Sequence, residues 1–304
     1  MSAFEIAVII PNYQRGESLL RACRSVLEQS CKATEVVVVD DASTTDLLSI
    51  RENLESSGIN WLRMPENSGP AAARNAGVAA TSSPWVAFLD SDDWWKEEKL
   101  ASQVGWHQEN PESRISQVTE EWVRNGKPIH KPSHWEPGEG DLFADSVERC
   151  SIGPSCVMLH RSLWEIVGGF DPRYRVCEDY ALWLEIARQE RVGKVPGEAL
   201  VVKEGGRSDQ LSRITPAMDR YRVAALLELL ERDELNEEQR RLAENGLVEK
   251  CRVLEKGARK RNELERAERY RQIAESVSVE GESSRISRSI EEAWAEIVGP
   301  GALR

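Results

Sequence analysis

Apolar and polar positions alternate along the first ninety residues in blocks. Phe4 to Ile10 (FEIAVII) is a continuous apolar, β-branched run, the pattern of a parallel strand buried on both faces. PNYQR interrupts it. From Gly16 the apolar positions Leu19, Leu20, Cys23, Val26 and Leu27 recur at helical spacing to about Ser30. Glu35 to Asp40 (EVVVVD) reads as a second buried strand and residues 45–57 as a second helix. Asn60 to Met64 reads as a third strand, AAARNAGVAA after Gly69-Pro70 as a third helix, and Trp85 to Leu89 as a fourth strand. Strict alternation of strand and helix predicts a mostly parallel central sheet flanked by helices. In such sheets ligands sit beyond the carboxyl ends of the strands. Those ends read Pro11-Asn12-Tyr13, Asp40-Asp41 and Asp90-Ser91-Asp92, so all three are expected at one cleft.

Beyond residue 105 the pattern loosens. SRISQVTEEWV, SIGPSCVMLH and EALVVKEGG read as strands, Tyr180 to Arg188 as a helix, and the stretch around His130 and His134 as a loop. After residue 214 charged amphipathic helices follow, with breaks expected near Asp233–Asn236 and Gly257. These shifts divide the chain into residues 1–105, 106–213, a helical extension 214–275, and a polar linker with a short amphipathic helix at 276–304. A formal charge of -12 argues against a sequence-independent grip on nucleic acid. The six cysteines form no CxxC pair, so a zinc ribbon is not expected and reduced thiols are. MSAFEIAVII does not read as a signal peptide, and no run reaches the roughly 18 apolar residues of a membrane span. A cytoplasmic protein is expected, with peripheral contact at the inner membrane face left open, as is the oligomeric state.

Several short runs carry candidate chemistry. Asp90 and Asp92, two residues apart after a buried strand, suit one hard divalent cation such as Mg2+ or Mn2+. Acidic residues there also suit a helix N-terminus, and Asp93 is expected to do only that. Trp94 and Trp95 are expected to begin the next helix, with Trp94 walling the acceptor side of the cleft. Asp40 and Asp41 fit either a cap or an acceptor for an imide N–H such as uracil presents. Tyr13 fits a stacking ring or loop packing, and Arg74 a diphosphate contact or a solvated side chain. Glu178-Asp179, at a helix start, fits capping or proton abstraction from a hydroxyl.

The runs VIIPNYQRGESLLRACRSVLEQS, VVVVDDAS, NSGPAAARNAGVAA, WVAFLDSDDWW, VGGFDPRYRVCEDYALWLEIAR and GGRSDQLSR fall in order over residues 4–213. Together they resemble family 2 glycosyltransferases of the GT-A fold. The resemblance implies an inverting transfer of a sugar from a nucleotide-sugar, UDP- or dTDP-linked, with Mn2+ or Mg2+. The implied acceptor is a cell-envelope glycan, a lipid-linked sugar or a protein. It implies that Pro11 and Tyr13 hold the base, that Asp41 reads its N3 edge with Asp40 in support, and that Arg74 lies near the phosphates. Asp90 would approach the ribose or the metal and Asp92 would ligate the metal. Gly168, Gly169 and Phe170 would shape the acceptor side, and Asp179, with Glu178 as the alternative, would be the base. Similar sequences often carry a histidine before DQLS. Arg207 stands there, and it can pair with a diphosphate but cannot ligate a cation. A sugar-1-phosphate nucleotidyltransferase or a dinucleotide-binding dehydrogenase would need a glycine-rich loop after the first strand, which PNYQRGES lacks. A second reading is a catalytically weak nucleotide-binding relative that binds a partner through its helical tail.

Overall fold

The structure is a computed structural model and describes residues 4–124, 126–129, 136–205, 215, 217–232 and 234–277. Arg207, His130, His134 and the 276–304 segment beyond Val277 lie outside the described residues. Contacts divide the chain into two compact units. The first takes in residues up to Leu142, Ser151–Pro172 and the stretch from Gln189 through the last strand. The second takes in Phe143–Cys150, Arg173–Arg188 and the carboxy-terminal helices.

In the first unit, strands β1 (Ile6–Asn12), β2 (Glu35–Asp40), β3 (Asn60–Arg63) and β4 (Trp85–Phe88) pair in parallel in the order β4-β1-β2-β3. Every residue of β1 is buried, as its unbroken apolar run requires. Helix α1 (Glu17–Leu27) places Leu19, Cys23 and Val26 against Ile6, Val8 and Ile10. Helix α2 (Leu48–Ser56) follows β2. Helix α3 (Pro70–Ala79) lies on the opposite face. There a Cβ at Gly77 would come within 2.3 Å of Ile9, so only glycine permits so close an approach.

The sheet is not parallel throughout. Seven strands form it in the order β10-β6-β9-β4-β1-β2-β3, counting β6 (Ile115–Gln117), β9 (Val157–His160) and β10 (Gly193–Lys194). Strand β9 runs antiparallel to both β4 and β6. Its beginning therefore lies at the edge where β4 ends, and a single turn at Pro154–Cys156 feeds it. Four short strands, β5 (Trp94–Trp95), β7 (Glu120–Arg124), β8 (Lys127–Ile129) and β11 (Val201–Glu204), form a second sheet in the order β5-β11-β7-β8. The expectation that Trp94 and Trp95 open a helix is thereby corrected. They pair with Val202 and Val201 instead. The buried Trp95 donates its indole N–H to Ser155 O and its backbone N–H to Ser25 Oγ. Helix α4 (Lys99–Glu109) starts only after Glu98, so Asp93 caps nothing.

Lys99, in the first turn of α4, is wholly buried, with its ammonium 3.8 Å over the Trp95 ring and 3.4 Å from Val157 O. Burial pushes its pKa down to about 7, with Cys156 acting in the opposite direction. The unfolded chain holds that proton up to about pH 10. Between these values the unfolded state binds more protons, so stability rises with pH across that window. Lys99→Met is expected to stabilise the protein by about 1–3 kcal/mol at pH 7, with the gain shrinking toward pH 10. Thermal unfolding of both proteins at the two pH values checks this.

The second unit is helical. It holds α5 (Phe143–Glu148), α7 (Glu178–Gln189) up to Arg188, α8 (Asp219–Glu231), α9 (Glu237–Lys260) and α10 (Leu264–Val277), whereas α6 (Arg161–Val167) belongs to the first unit. A capping box at Asn236 and Gln239 starts α9. The break expected near Gly257 is absent: α9 runs through it, and the turn falls at Arg261–Glu263, before α10. Gly246 lets α9 close on Val147 of α5, where a Cβ would come within 2.3 Å.

Candidate functional site

The register of the sheet sets the edge. Asn12 is level with Asp40, and Ile9 with Phe88, so Tyr13, Asp41 and the Asp90–Asp93 loop all emerge from the same side. Pro11 is buried within β1, which continues through it, beyond the last pair with β4. Tyr13 is 45% exposed, and its ring is available for stacking. Gln14 follows in the left-handed region, at φ 59°. It ties this loop to the one after β2: its N–H donates to Ser43 Oγ, its side chain donates to Thr44 Oγ1, and its Oε1 accepts from Thr45 N.

Asp40 is fully buried. It accepts from Ser43 N at 3.1 Å and pairs with Arg63, so it braces the loop from beneath. Asp41, also buried, accepts from Ser68 N and Gly69 N, each at 2.8 Å. Those bonds fix the entry to α3, and Gly69, at φ 90°, makes the turn that only glycine adopts easily.

Helix α3 carries Arg74 to the acidic loop, where Nη2 lies 2.7 Å from Asp90 Oδ1. Burial alone would raise the Asp90 carboxyl, but Arg74, Lys203 and Arg15 outweigh it and hold it below the usual carboxylate range. Asp92 pairs with Arg15, and its backbone carbonyl accepts from Arg21 at 2.9 Å. Arg21 also reaches Glu204 at 2.6 Å and lies 3.9 Å over the Trp94 ring. Asp93 points inward. It accepts from Ser155 Oγ at 2.7 Å, and burial, with Asp92 and Asp90 adding to it and Lys203 opposing, raises its carboxyl well above the ordinary range.

Ser155 is the hub of the loop. Besides bonding Asp93, its hydroxyl accepts from Asp90 N at 3.1 Å, so both ends of the acidic turn hang on one side chain from the turn that feeds β9. Beneath them Lys203 sits 3.0 Å from Glu120, which also accepts from Cys156 Sγ. Glu120, Asp93 and their neighbours keep the Lys203 ammonium well above its usual range despite burial. Gly153 makes room for this pair, because a Cβ there would come within 2.9 Å of Lys203 Nζ.

Gly168 and Gly169 both take positive φ, at 78° and 76°, and turn the chain so that Phe170 is buried against Phe88 and Trp164. The Asn75 side chain bonds both the N–H and the carbonyl of Phe170. The ring lies beneath Arg74, 5.0 Å from its guanidinium carbon, so Phe170 supports α3 and offers no face to an acceptor. Glu178 and Asp179 begin α7 in the second unit. There Asp179 accepts from Tyr180 N at 2.7 Å and from Cys150 Sγ at 3.2 Å, and Glu178 is buried. Sequence reasoning missed Gln14, Arg15, Ser155, Glu120 and Lys203. Gln14 and Arg15 sit inside the PNYQR run already singled out, whereas the contacts of Ser155, Glu120 and Lys203 join positions far apart in the chain.

The model of glycosyl transferase family 2 matches residues 7–167, more than half of the 304-residue chain. The chain belongs to glycosyl transferase family 2. Among curated relatives of this family, an uncharacterized glycosyltransferase of Rickettsia conorii is 31% identical over 202 residues, 66% of this chain and 33% of that protein. The chain thus spans about a third of that relative's length. The Escherichia coli UDP-Glc:alpha-D-GlcNAc-diphosphoundecaprenol beta-1,3-glucosyltransferase WfaP is 28% identical over 181 residues, 60% of this chain and 69% of WfaP. Among solved structures, S. aureus TarS 1-349 in complex with UDP-GlcNAc aligns with a TM-score of 0.72 at 17% identity, covering 97% of this chain and 90% of that one. At that identity the likeness shows the fold, the GT-A fold of this family. No helix among the described residues is long and apolar enough to cross a membrane.

Proposed function

We propose that this family 2 member transfers a sugar from a nucleoside-diphosphate sugar to an acceptor hydroxyl with inversion, in the synthesis of a cell-envelope glycan. The observation that carries the reading is the acidic turn Asp90–Asp93, held rigid by Ser155 at the sheet edge that also carries Tyr13 and Asp41. A donor fits this edge in parts. Tyr13 stacks on the base, Asp41 accepts the imide N–H, and Arg74 lies at the Asp90 end, where ribose and diphosphate meet. Asp40 stays beneath, supporting the loop. UDP-GlcNAc in the TarS structure and UDP-Glc in the WfaP name support a uridine donor. The WfaP name supports a lipid-diphosphate-linked acceptor and, because glucose is α-linked in UDP-Glc, an inverting course.

Asp90 and Asp92 also suit a divalent cation. Asp90 and Asp92 would be its two carboxylate donors. That donor set fits Mg2+ or Mn2+. Bound there, the cation supplies neutralisation of charge on the departing diphosphate. In the reaction the acceptor oxygen bonds to the anomeric carbon as the bond from that carbon to the diphosphate oxygen breaks. The nucleoside diphosphate leaves with the electron pair, and Asp179 takes the acceptor proton. Arg207 adds a second positive charge for the diphosphate. The test is a panel of nucleotide-sugars assayed for nucleotide release with Mn2+ and a lipid-linked glycan acceptor. Release above the protein-free rate with at least one donor is expected.

A further inference from the structure

Asp179 stands in the helical second unit, and its carboxylate is held at both oxygens. Oδ1 accepts from Tyr180 N at 2.7 Å, and Oδ2 accepts from the Cys150 thiol at 3.2 Å. The first bond comes from the next residue of α7. The second comes from a residue just beyond α5, so its direction depends on where α5 ends. Carbonyls in the last turn of a helix have no N–H partner within it. In α5 the last two are taken by side chains of two other helices. Tyr180 of α7 donates its hydroxyl to Val147 O at 2.8 Å, and Lys250 of α9 donates its ammonium to Glu148 O at 2.9 Å. Both side chains are buried. Val147 also meets α9 at Gly246, where a Cβ would come within 2.3 Å. Burial disfavours the Lys250 ammonium and pulls its pKa below the usual value. Packing alone would be served as well by an apolar side chain. What the charge adds is the bond that fixes the end of α5.

We propose that the helical extension takes part in the transfer: α9, through Lys250, sets the end of α5, and Cys150 at that end orients the Asp179 carboxylate for proton abstraction. Cys150 and Lys250 are thus positioning residues. The proposal rests on Asp179 as the base, as given under Proposed function. An aspartate carboxylate is broadly free about its last torsion, whereas proton abstraction needs hydrogen-bond reach of the hydroxyl. A displacement of about 1 Å can cost about a hundredfold in rate. A bond from outside α7 removes that freedom, and α9 keeps its donor in place.

The test uses the full chain in the nucleotide-release assay, with UDP affinity and melting temperature measured beside it. Cys150→Ala and Lys250→Met are each expected to lower kcat about 10–100-fold and to leave UDP affinity within about twofold of wild type. Cys150→Ser and Lys250→Arg keep a donor and are expected to hold kcat within about threefold. In an Asp179→Asn background neither Cys150→Ala nor Lys250→Met should lower the residual rate further, because no base is left to orient. A loss through general destabilisation would persist in that background. Cys150→Ala removes a single sulfur, so it keeps the test decisive where Lys250→Met fails to fold. If Asp179→Asn loses turnover while Cys150→Ala keeps wild-type kcat, or if its loss is fully additive with that of Asp179→Asn, the positioning is overturned and the base assignment stands. Wild-type turnover in Asp179→Asn overturns the base and the positioning with it.

Discussion

Asp179→Asn is expected to lower turnover about 10²–10⁴-fold, the usual contribution of a general base, while leaving UDP affinity within about twofold. Asp179 opens α7, where the Tyr180 N–H and the Cys150 thiol hold its two oxygens. Asparagine keeps the shape and the acceptor carbonyl but cannot take a proton. The loss should therefore fall on kcat, with the donor's KM nearly unchanged. Glu178→Gln provides the contrast. Glu178 is buried at the same helix start, and its replacement is expected to cost less than Asp179→Asn. Steady-state kinetics of the two variants check this, and a larger loss in Glu178→Gln would reverse the assignment.

The second large effect is expected at Asp92. Asp92→Asn is expected to reduce kcat/KM by about 10²–10³-fold, the scale of losing one preorganised charge contact to the leaving group. The substitution preserves size, and the backbone carbonyl that Arg21 holds is untouched, so folding should survive. Mn2+ affinity should fall in parallel. Isothermal titration with Mn2+ and UDP, beside kinetics, separates this outcome from a folding defect. Full activity in Asp92→Asn would remove the cation from the account.

Much of the first unit is legible in the sequence because its signals are local. The apolar runs of β1, β2 and β4 lie between helical repeats, and their acidic or aromatic ends then follow from parallel pairing. What escapes is what depends on distant partners. Trp94 and Trp95 look like a helix start, because two residues cannot display an alternation and their partners, Val201 and Val202, lie more than a hundred positions away. Asp93 looks like a cap for the same reason. It faces inward because Ser155, 62 residues on, supplies a hydroxyl. Phe170, put at the acceptor side only by the family resemblance, is turned under α3 by the two positive φ values before it. The helical second unit recruits Phe143–Cys150 and Arg173–Arg188 from the middle of the chain, which no shift in composition announces. Arg15 is the instructive case: the residue is visible in PNYQR, but its meaning lies in the carboxylate it meets.

The central claim is that the edge bearing Tyr13, Asp41, Asp90 and Asp92 binds a nucleoside-diphosphate sugar and releases the nucleotide. Nucleotide release from a donor panel with Mn2+ and a lipid-linked glycan acceptor tests it most directly. The account predicts release that depends on the acceptor, favours a uridine donor and is lost in Asp92→Asn. Release from no donor, or release that persists unchanged in both Asp92→Asn and Asp179→Asn, would contradict it.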